Sequence, residues 1–362
     1  MTREFRHDHL VREFIDGSTA IVRGAIDAGC DFFAGYPITP ASPILMGMMR
    51  ELPPRGGVAI QAEDEIASIG MCIGAAMAGA RALTATSGPG LSLYSENLGL
   101  AIMGEVPLVV VDVQRLGPAT GGATTVAQGD VQFVRWGTAG GFPIIALAPS
   151  SIADCYRLTR RAFTLAERFR CPVFVVSDKE LNLTTNTIEV GAAGGTAPSA
   201  PLHAISPAVG DADLVRFTGS THNERGFLTK DPRKVEQLNL HLAAKIEQHR
   251  DEIELVEADL QPGARTLLIA YGVTAGAQRE AVRVARANGQ AISSLTVQSL
   301  WPVPERAIAA ALAGIERVVV AELNQGQYLR EIERLTGTRE AIGLQRIDGQ
   351  LITPGQFLEA IA

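Results

Sequence analysis

Short apolar runs, each followed by a segment with helical spacing, recur along the chain and restrict its fold more than any other feature. Pro107–Val113 reads P-L-V-V-V-D-V and Val173–Ser177 reads V-F-V-V-S. A strand that shows no alternation is buried on both faces. Cys30–Ala34, Val58–Ala62, Ala82–Thr86 and Ile144–Ala148 are further strand candidates. Between them, Pro43–Glu51, Leu91–Met103 and Ser150–Arg168 read as helices, the first ended by Pro53-Pro54. This alternation predicts an α/β fold, a mainly parallel sheet with helices on both faces. Residues 9–29 read as one amphipathic helix with a cap-like Gly17-Ser18-Thr19 and a stop at Gly29. From Asn186 to about Gly210 the chain turns to Gly, Ala, Pro and Ser, which reads as a linker, and Asp231–Val256 reads as a charged surface helix. A second strand series follows, at Thr266–Tyr271, Ile292–Val297, Arg317–Ala321 and Gly343–Ile347, with a last helix at Pro354–Ala362. The expected organisation is a domain over 1–190, a linker and surface helix over 191–261, and a second domain over 262–362.

Charge and cysteine usage remove several function classes. A net charge of −7 gives no footing for nucleic acid or an acidic membrane surface. The start, M-T-R-E-F-R-H-D-H-L, has no signal-like apolar core, and no run of about 18 apolar residues suggests a membrane span. The expectation is a cytoplasmic protein. Cys30, Cys72, Cys155 and Cys171 form no C-x-x-C and lie near no histidine at metal spacing, so they read as buried thiols. A chain with so few, scattered thiols cannot ligate an iron–sulfur cluster. The six histidines are scattered, and none is assigned to a metal or to base catalysis.

The chemistry-bearing stretch runs from Gly35 to Gly90. It opens on G-Y-P-I-T-P, where Pro37 and Pro40 stiffen a loop that presents the Thr39 hydroxyl. Glu63-Asp64-Glu65 then precede an uncharged Ala/Gly-rich segment, Ile66–Ala80. Acids suit a helix N-terminus, which is the ordinary reading for Glu63 and Asp64. Glu65 adjoins the apolar run and is placed to be carried into buried surface, where a carboxyl needs a partner. Gly70, Gly74 and Gly79 would each weaken an isolated helix by about 1 kcal/mol relative to Ala, so the helix is expected to pack closely on another backbone. Thr84–Gly90 reads T-A-T-S-G-P-G, a turn that lets backbone approach a ligand. It fits neither G-x-G-x-x-G nor the Walker pattern, so its signal as a nucleotide site is weak. Arg115 ends the strand Pro107–Val113 ahead of a Gly-rich loop, where α/β folds place ligands. Position alone leaves Arg115 equally a carboxylate binder or a surface ion-pairing residue.

G-Y-P-I-T-P, the E-D-E-I-A run and T-S-G-P-G resemble the α subunit of 2-oxoacid:ferredoxin oxidoreductases, most nearly those acting on 2-oxoglutarate. F-T-G-S-T-H-N-E-R-G (Phe217–Gly226), S-L-W-P-V-P (Ser299–Pro304) and E-L-N-Q-G-Q (Glu322–Gln327) extend the resemblance over nearly the whole chain. The resemblance implies a thiamine-diphosphate-binding fold, with a pyrimidine-binding domain first and a transketolase C-terminal-like α/β domain last. It makes Glu65, nine residues before Gly74 as the family's spacing requires, the catalytic glutamate that hydrogen-bonds the cofactor's pyrimidine ring. Pro37, Ile38, Ser87, Gly88 and Pro89 would line the aminopyrimidine end, while Arg115 and Thr39 would bind the 2-oxoacid. Asn324 and Gln325 are given no catalytic role.

The diphosphate, Mg²⁺ and the iron–sulfur clusters are implied to sit on partner subunits: a β subunit, with a γ subunit as a further candidate. Coenzyme A takes the acyl group, and ferredoxin or another acceptor takes the electrons. The loop after Arg115 departs from the family pattern. Thr120–Asp130 reads T-G-G-A-T-T-V-A-Q-G-D, without the usual proline and lysine. Pyruvate, branched and aryl 2-oxoacids such as phenylglyoxylate therefore stand beside 2-oxoglutarate as substrates. The competing functions are a non-catalytic α/β subunit and a non-oxidative thiamine enzyme. The presence of Glu65, Arg115 and Thr39 together argues against the first, and the linker and terminal domain in this order against the second.

Overall fold

The computed structural model describes residues 11–191, 208–212 and 214–362. Most of the Gly/Ala/Pro-rich linker stretch, along with His7, His9 and His203, lies outside the described residues.

Fourteen strands are described: β1 (Val11–Asp16), β2 (Phe32–Gly35), β3 (Val58–Gln61), β4 (Ala82–Thr86), β5 (Leu108–Gln114), β6 (Ile145–Leu147), β7 (Pro172–Asp178), β8 (Thr185–Val190), β9 (Val256–Asp259), β10 (Thr266–Ala270), β11 (Ser293–Val297), β12 (Ser299–Trp301), β13 (Arg317–Glu322) and β14 (Glu340–Gln345). The larger sheet has seven strands in the order β12-β6-β7-β5-β4-β2-β3, parallel except for β12. A five-stranded sheet follows the order β14-β13-β10-β11-β9, parallel except for β9. β5 and β7 are buried at every position, as their unbroken apolar character requires.

Helices cover both faces of the larger sheet. Gly17–Asp27, Ser42–Glu51 and Ile152–Phe169 pack one face around Ile21, Met48 and Phe163. Glu65–Met77 and Ser95–Met103 pack the other around Ile69, Cys72 and Leu98. That second apolar cluster continues into the smaller sheet through Leu267, Leu295 and Val318, so the two sheets share a core. Leaving β2, the chain goes first to β3 on one side and then to β4 on the other. This reversal opens a crevice at the strands' carboxyl ends.

Several local readings are corrected. Residues 9–29 are not one helix. Val11–Asp16 is a strand antiparallel to β8, and the helix begins at Gly17, where the Asp16 side chain accepts from Thr19 N. Leu91–Met103 is divided at Tyr94 into Gly88–Leu93 and Ser95–Met103. Asp231–Val256 holds a helix over Pro232–Glu247, a short one over Arg250–Ile253, and the start of β9. Ser299–Trp301 crosses to the larger sheet and pairs with β6. Gly70 and Gly74 are not packed on another backbone among the described residues: a Cβ on either would stand in open space.

The four cysteines are free and buried, and burial pushes the Cys171 thiol up to about 11 and the Cys72 thiol up to about 12. Among the described residues, no helix is long and apolar enough to cross a membrane.

Candidate functional site

The loops after β2, β4 and β5 meet at the crevice. Asp64 caps the helix Glu65–Met77, its carboxylate accepting from Ala67 N at 2.7 Å. Glu63 and Asp64 stay exposed, while Glu65, at the first helical position, is 8% exposed. The Glu65 side chain is packed against the Ser87–Gly90 turn. A Cβ on Gly90 would stand 2.7 Å from Glu65 Cγ and 2.1 Å from Thr86 Oγ1, so only glycine fits there. The Ser87 hydroxyl in that turn is buried without a partner. Buried polar groups are nearly always satisfied, so orphans on neighbouring loops, the Ser87 hydroxyl here and the Arg115 Nε beside it, point to a ligand that satisfies them. Beneath them Tyr94 is fully buried, its hydroxyl 2.7 Å from Thr84 Oγ1 and 3.2 Å from Ser68 Oγ. Burial raises its phenol well above the ordinary range, so it stays neutral.

Arg115 follows β5, is 7% exposed, and donates from Nη1 to the Thr39 carbonyl at 2.5 Å. It thus joins the third loop to the first, and its Nε is buried without a partner. Thr39 and Pro37 are exposed, Ile38 is half-buried, and Gly88 and Pro89 are partly open. The structure therefore brings Thr39, Ser87, Gly88, Pro89 and Arg115 to one crevice, with Glu65 behind the turn.

A cavity of about 650 Å³ extends from Gly88, Pro89, Arg115 and Asp130 to Asn324, in the loop after β13, and Arg330, in the helix Leu329–Thr336 that follows it. Gln128 fastens the loop after Arg115 to that half: its Nε2 donates to Tyr271 O at 3.0 Å, and its Oε1 accepts from Leu323 N and Thr274 Oγ1. Asn324 is buried, donating to Gln128 O at 2.6 Å and to Tyr271 Oη at 2.9 Å, a structural role. The stretch Phe217–Gly226 is a hydrogen-bonded surface turn, with Asn223 Oδ1 accepting from Arg225 N and Phe227 N.

Sequence reasoning passed over Asp112. Its signal was a lone charge inside the apolar run of β5, where it is fully buried and faces Asp130.

Residues 23–238 match the family described as pyruvate flavodoxin/ferredoxin oxidoreductase, thiamine diphosphate-binding, and residues 264–357 match pyruvate:ferredoxin oxidoreductase core domain II. The chain belongs to the pyruvate flavodoxin/ferredoxin oxidoreductase family. It is 40% identical to 2-oxoglutarate synthase subunit KorA of Methanothermobacter marburgensis, over 96% of this chain and 98% of that one. The solved 2-oxoglutarate:ferredoxin oxidoreductase from Magnetococcus marinus, with 2-oxoglutarate, coenzyme A and succinyl-CoA bound, superposes with a TM-score of 0.92 at 33% identity. That alignment covers 98% of this chain and 65% of the neighbour's. A split gene transketolase, an inactive β4 tetramer, shares the fold at a TM-score of 0.58 and 11% identity, over 96% of this chain and 97% of its own. Family membership and these superpositions establish the expected thiamine-diphosphate-binding α/β fold with its transketolase-like terminal domain.

Proposed function

We propose that this chain is the α subunit of a thiamine-diphosphate-dependent 2-oxoacid:ferredoxin oxidoreductase, with 2-oxoglutarate as the favoured acid. The complex converts the 2-oxoacid and coenzyme A to acyl-CoA and CO₂ and passes the two electrons to an acceptor such as ferredoxin. The observation that carries this reading is the convergence of buried Glu65, Ser87 and Arg115 at the carboxyl ends of β3, β4 and β5, with the Ser87 hydroxyl and the Arg115 Nε unpartnered.

Bound thiamine diphosphate supplies the electron sink that cleavage of a 2-oxoacid's carboxyl bond requires. Glu65 would hydrogen-bond the pyrimidine ring nitrogen and hold the proton there, behind the Ser87–Gly90 turn. Pro37, Ile38 and the Ser87–Pro89 turn line the same ring, and the Ser87 hydroxyl gains a partner. Arg115 pairs with the 2-oxoacid carboxylate through the guanidinium edge left free by its bond to Thr39 O. The Thr39 hydroxyl, exposed at the crevice mouth, hydrogen-bonds the substrate beside the reacting carbon.

The diphosphate, Mg²⁺ and iron–sulfur clusters belong to partner subunits in this reading. An uncovered surface supports a partner here: Ile66, Met71 and Leu93 are 50%, 40% and 46% exposed beside the open Gly70 and Gly74. The domain division follows residues 1–190 and 262–362, joined by 191–261.

The test is anaerobic co-production with the neighbouring subunits, followed by viologen reduction with 2-oxoglutarate, pyruvate and phenylglyoxylate, with and without coenzyme A. Reduction that needs thiamine diphosphate and prefers 2-oxoglutarate is expected. A cluster-containing complex that reduces viologen with none of the acids would move the chain to the non-catalytic class.

A further inference from the structure

Two acidic side chains meet at the crevice, Asp112 fully buried behind it and Asp130 half-buried on its wall. Asp112 is 0% exposed and stands in register with Thr86 of β4 and Val176 of β7, so neither neighbouring strand sets a charge beside it. Both its oxygens lack a donor, as does Oδ2 of Asp130. With these facing oxygens buried and without a donor, ionising both carboxyls is strongly disfavoured, and sharing one proton removes the repulsion. Burial, then the charge of Asp130, pushes Asp112 well above the carboxylate range. Burial also raises Asp130, to about 6, against the lowering effect of Arg115 and of a hydrogen bond from Asp112. Asp130 is held by its own N–H donating to Gln114 Oε1 at 3.1 Å and lies 3.0 Å from where a Gly88 Cβ would be. Asp130 and Arg115 line the same cavity without a direct ion pair, and Arg115 Nε is free. The cavity therefore offers a cation with an unspent edge beside an anion that repels a second carboxylate.

We propose that Asp112 and Asp130 form a one-proton unit that positions Arg115, so that the 2-oxoacid carboxylate and a proton are taken up together. This rests on Arg115 being the carboxylate-binding residue. In the free enzyme Asp112 keeps the shared proton and donates to Asp130, whose negative charge faces Arg115. A substrate carboxylate then engages Arg115 and leaves Asp130 beside a second anion, and protonation of Asp130 relieves that repulsion. Among the described residues, Arg115 is the one further charge that acts on the pair. Gln114 and Gln128 are neutral. Asp178, aligned with Gln114 on β7, is held by the N–H groups of Leu181 and Val273 and acts on neither carboxyl.

The sign follows from linkage. Because binding takes up a proton, the KM for the 2-oxoacid is flat below about pH 6 and rises above it, by up to about tenfold per pH unit. The experiment measures KM and kcat separately from pH 5.5 to 8 on the assembled complex, with wild type and Asp130→Asn. The wild-type KM rises and kcat moves less, and Asp130→Asn flattens the rise. An infrared spectrum of the complex at pH 7 supplies a readout independent of turnover: a protonated-carboxyl C=O band present in wild type and lost in Asp112→Asn. Turnover with a flat wild-type KM, an unaltered rise in Asp130→Asn, or no such band overturns the proton unit and leaves the proposed function standing. A complex that turns over no 2-oxoacid overturns both. If Asp130→Asn does not assemble, the wild-type slope and the band decide.

Discussion

Glu65 lies against the bare Cα of Gly90, where an added Cβ would stand 2.7 Å from its Cγ and 2.9 Å from its Oε1. The turn and the helix thus fit together only without a side chain, and that fit fixes where the carboxylate stands.

Gly90→Ala is therefore expected to displace Glu65 and Thr86 together. Overpacking of this kind costs about 1–3 kcal/mol. The variant should fold with a lowered Tm, while turnover of the assembled complex falls about a hundredfold, because a displaced catalytic group loses its alignment. Thermal unfolding and steady-state rates check the two effects separately.

Gly74→Leu separates folding from assembly. A Cβ there meets nothing within 4 Å among the described residues, and replacing glycine in a helix gains about 1 kcal/mol. The isolated chain should keep or raise its Tm and fail to co-purify with its partner subunits. Normal assembly would remove this helix face from the interface.

Glu105 gives the pH dependence of stability. Its burial favours the neutral acid, but His241 and Lys245 outweigh burial and hold it at about 2, below the ordinary 4.5. Lys245 is itself buried, donating to Glu105 at 2.9 Å and to Arg170 O at 2.9 Å. A depressed folded value means that the stabilisation is present above pH 4.5 and is lost as pH falls from there to about 2. Glu105→Gln should lose roughly 3 kcal/mol at neutral pH and show a shallower acid transition. Circular dichroism during acid titration of both chains tests it.

The strands were legible where burial on both faces left no choice of residue, as in β5 and β7. β1 was not, because V-R-E-F-I-D is half-solvated and its partner Thr185–Val190 is distant in sequence. β12 was hidden because its three residues are defined only by pairing with β6, distant in sequence. The burial of Glu65 beside exposed Glu63 and Asp64 followed from its place next to the apolar run. The Asp112–Asp130 pair was illegible, because no local pattern tells which buried carboxyls a fold will bring face to face. Nor could the sequence tell that Gly70 and Gly74 lie on a face left open among the described residues, since glycine spacing on a helix does not say what packs against it.

The most direct test of the account is the thiamine-diphosphate-dependent rate of 2-oxoacid oxidation by the assembled complex carrying Glu65→Ala. Assembly and cluster content should match wild type while most of the turnover disappears. Wild-type turnover in that variant would contradict the role given to Glu65 and, with it, the reading of this crevice as the cofactor site.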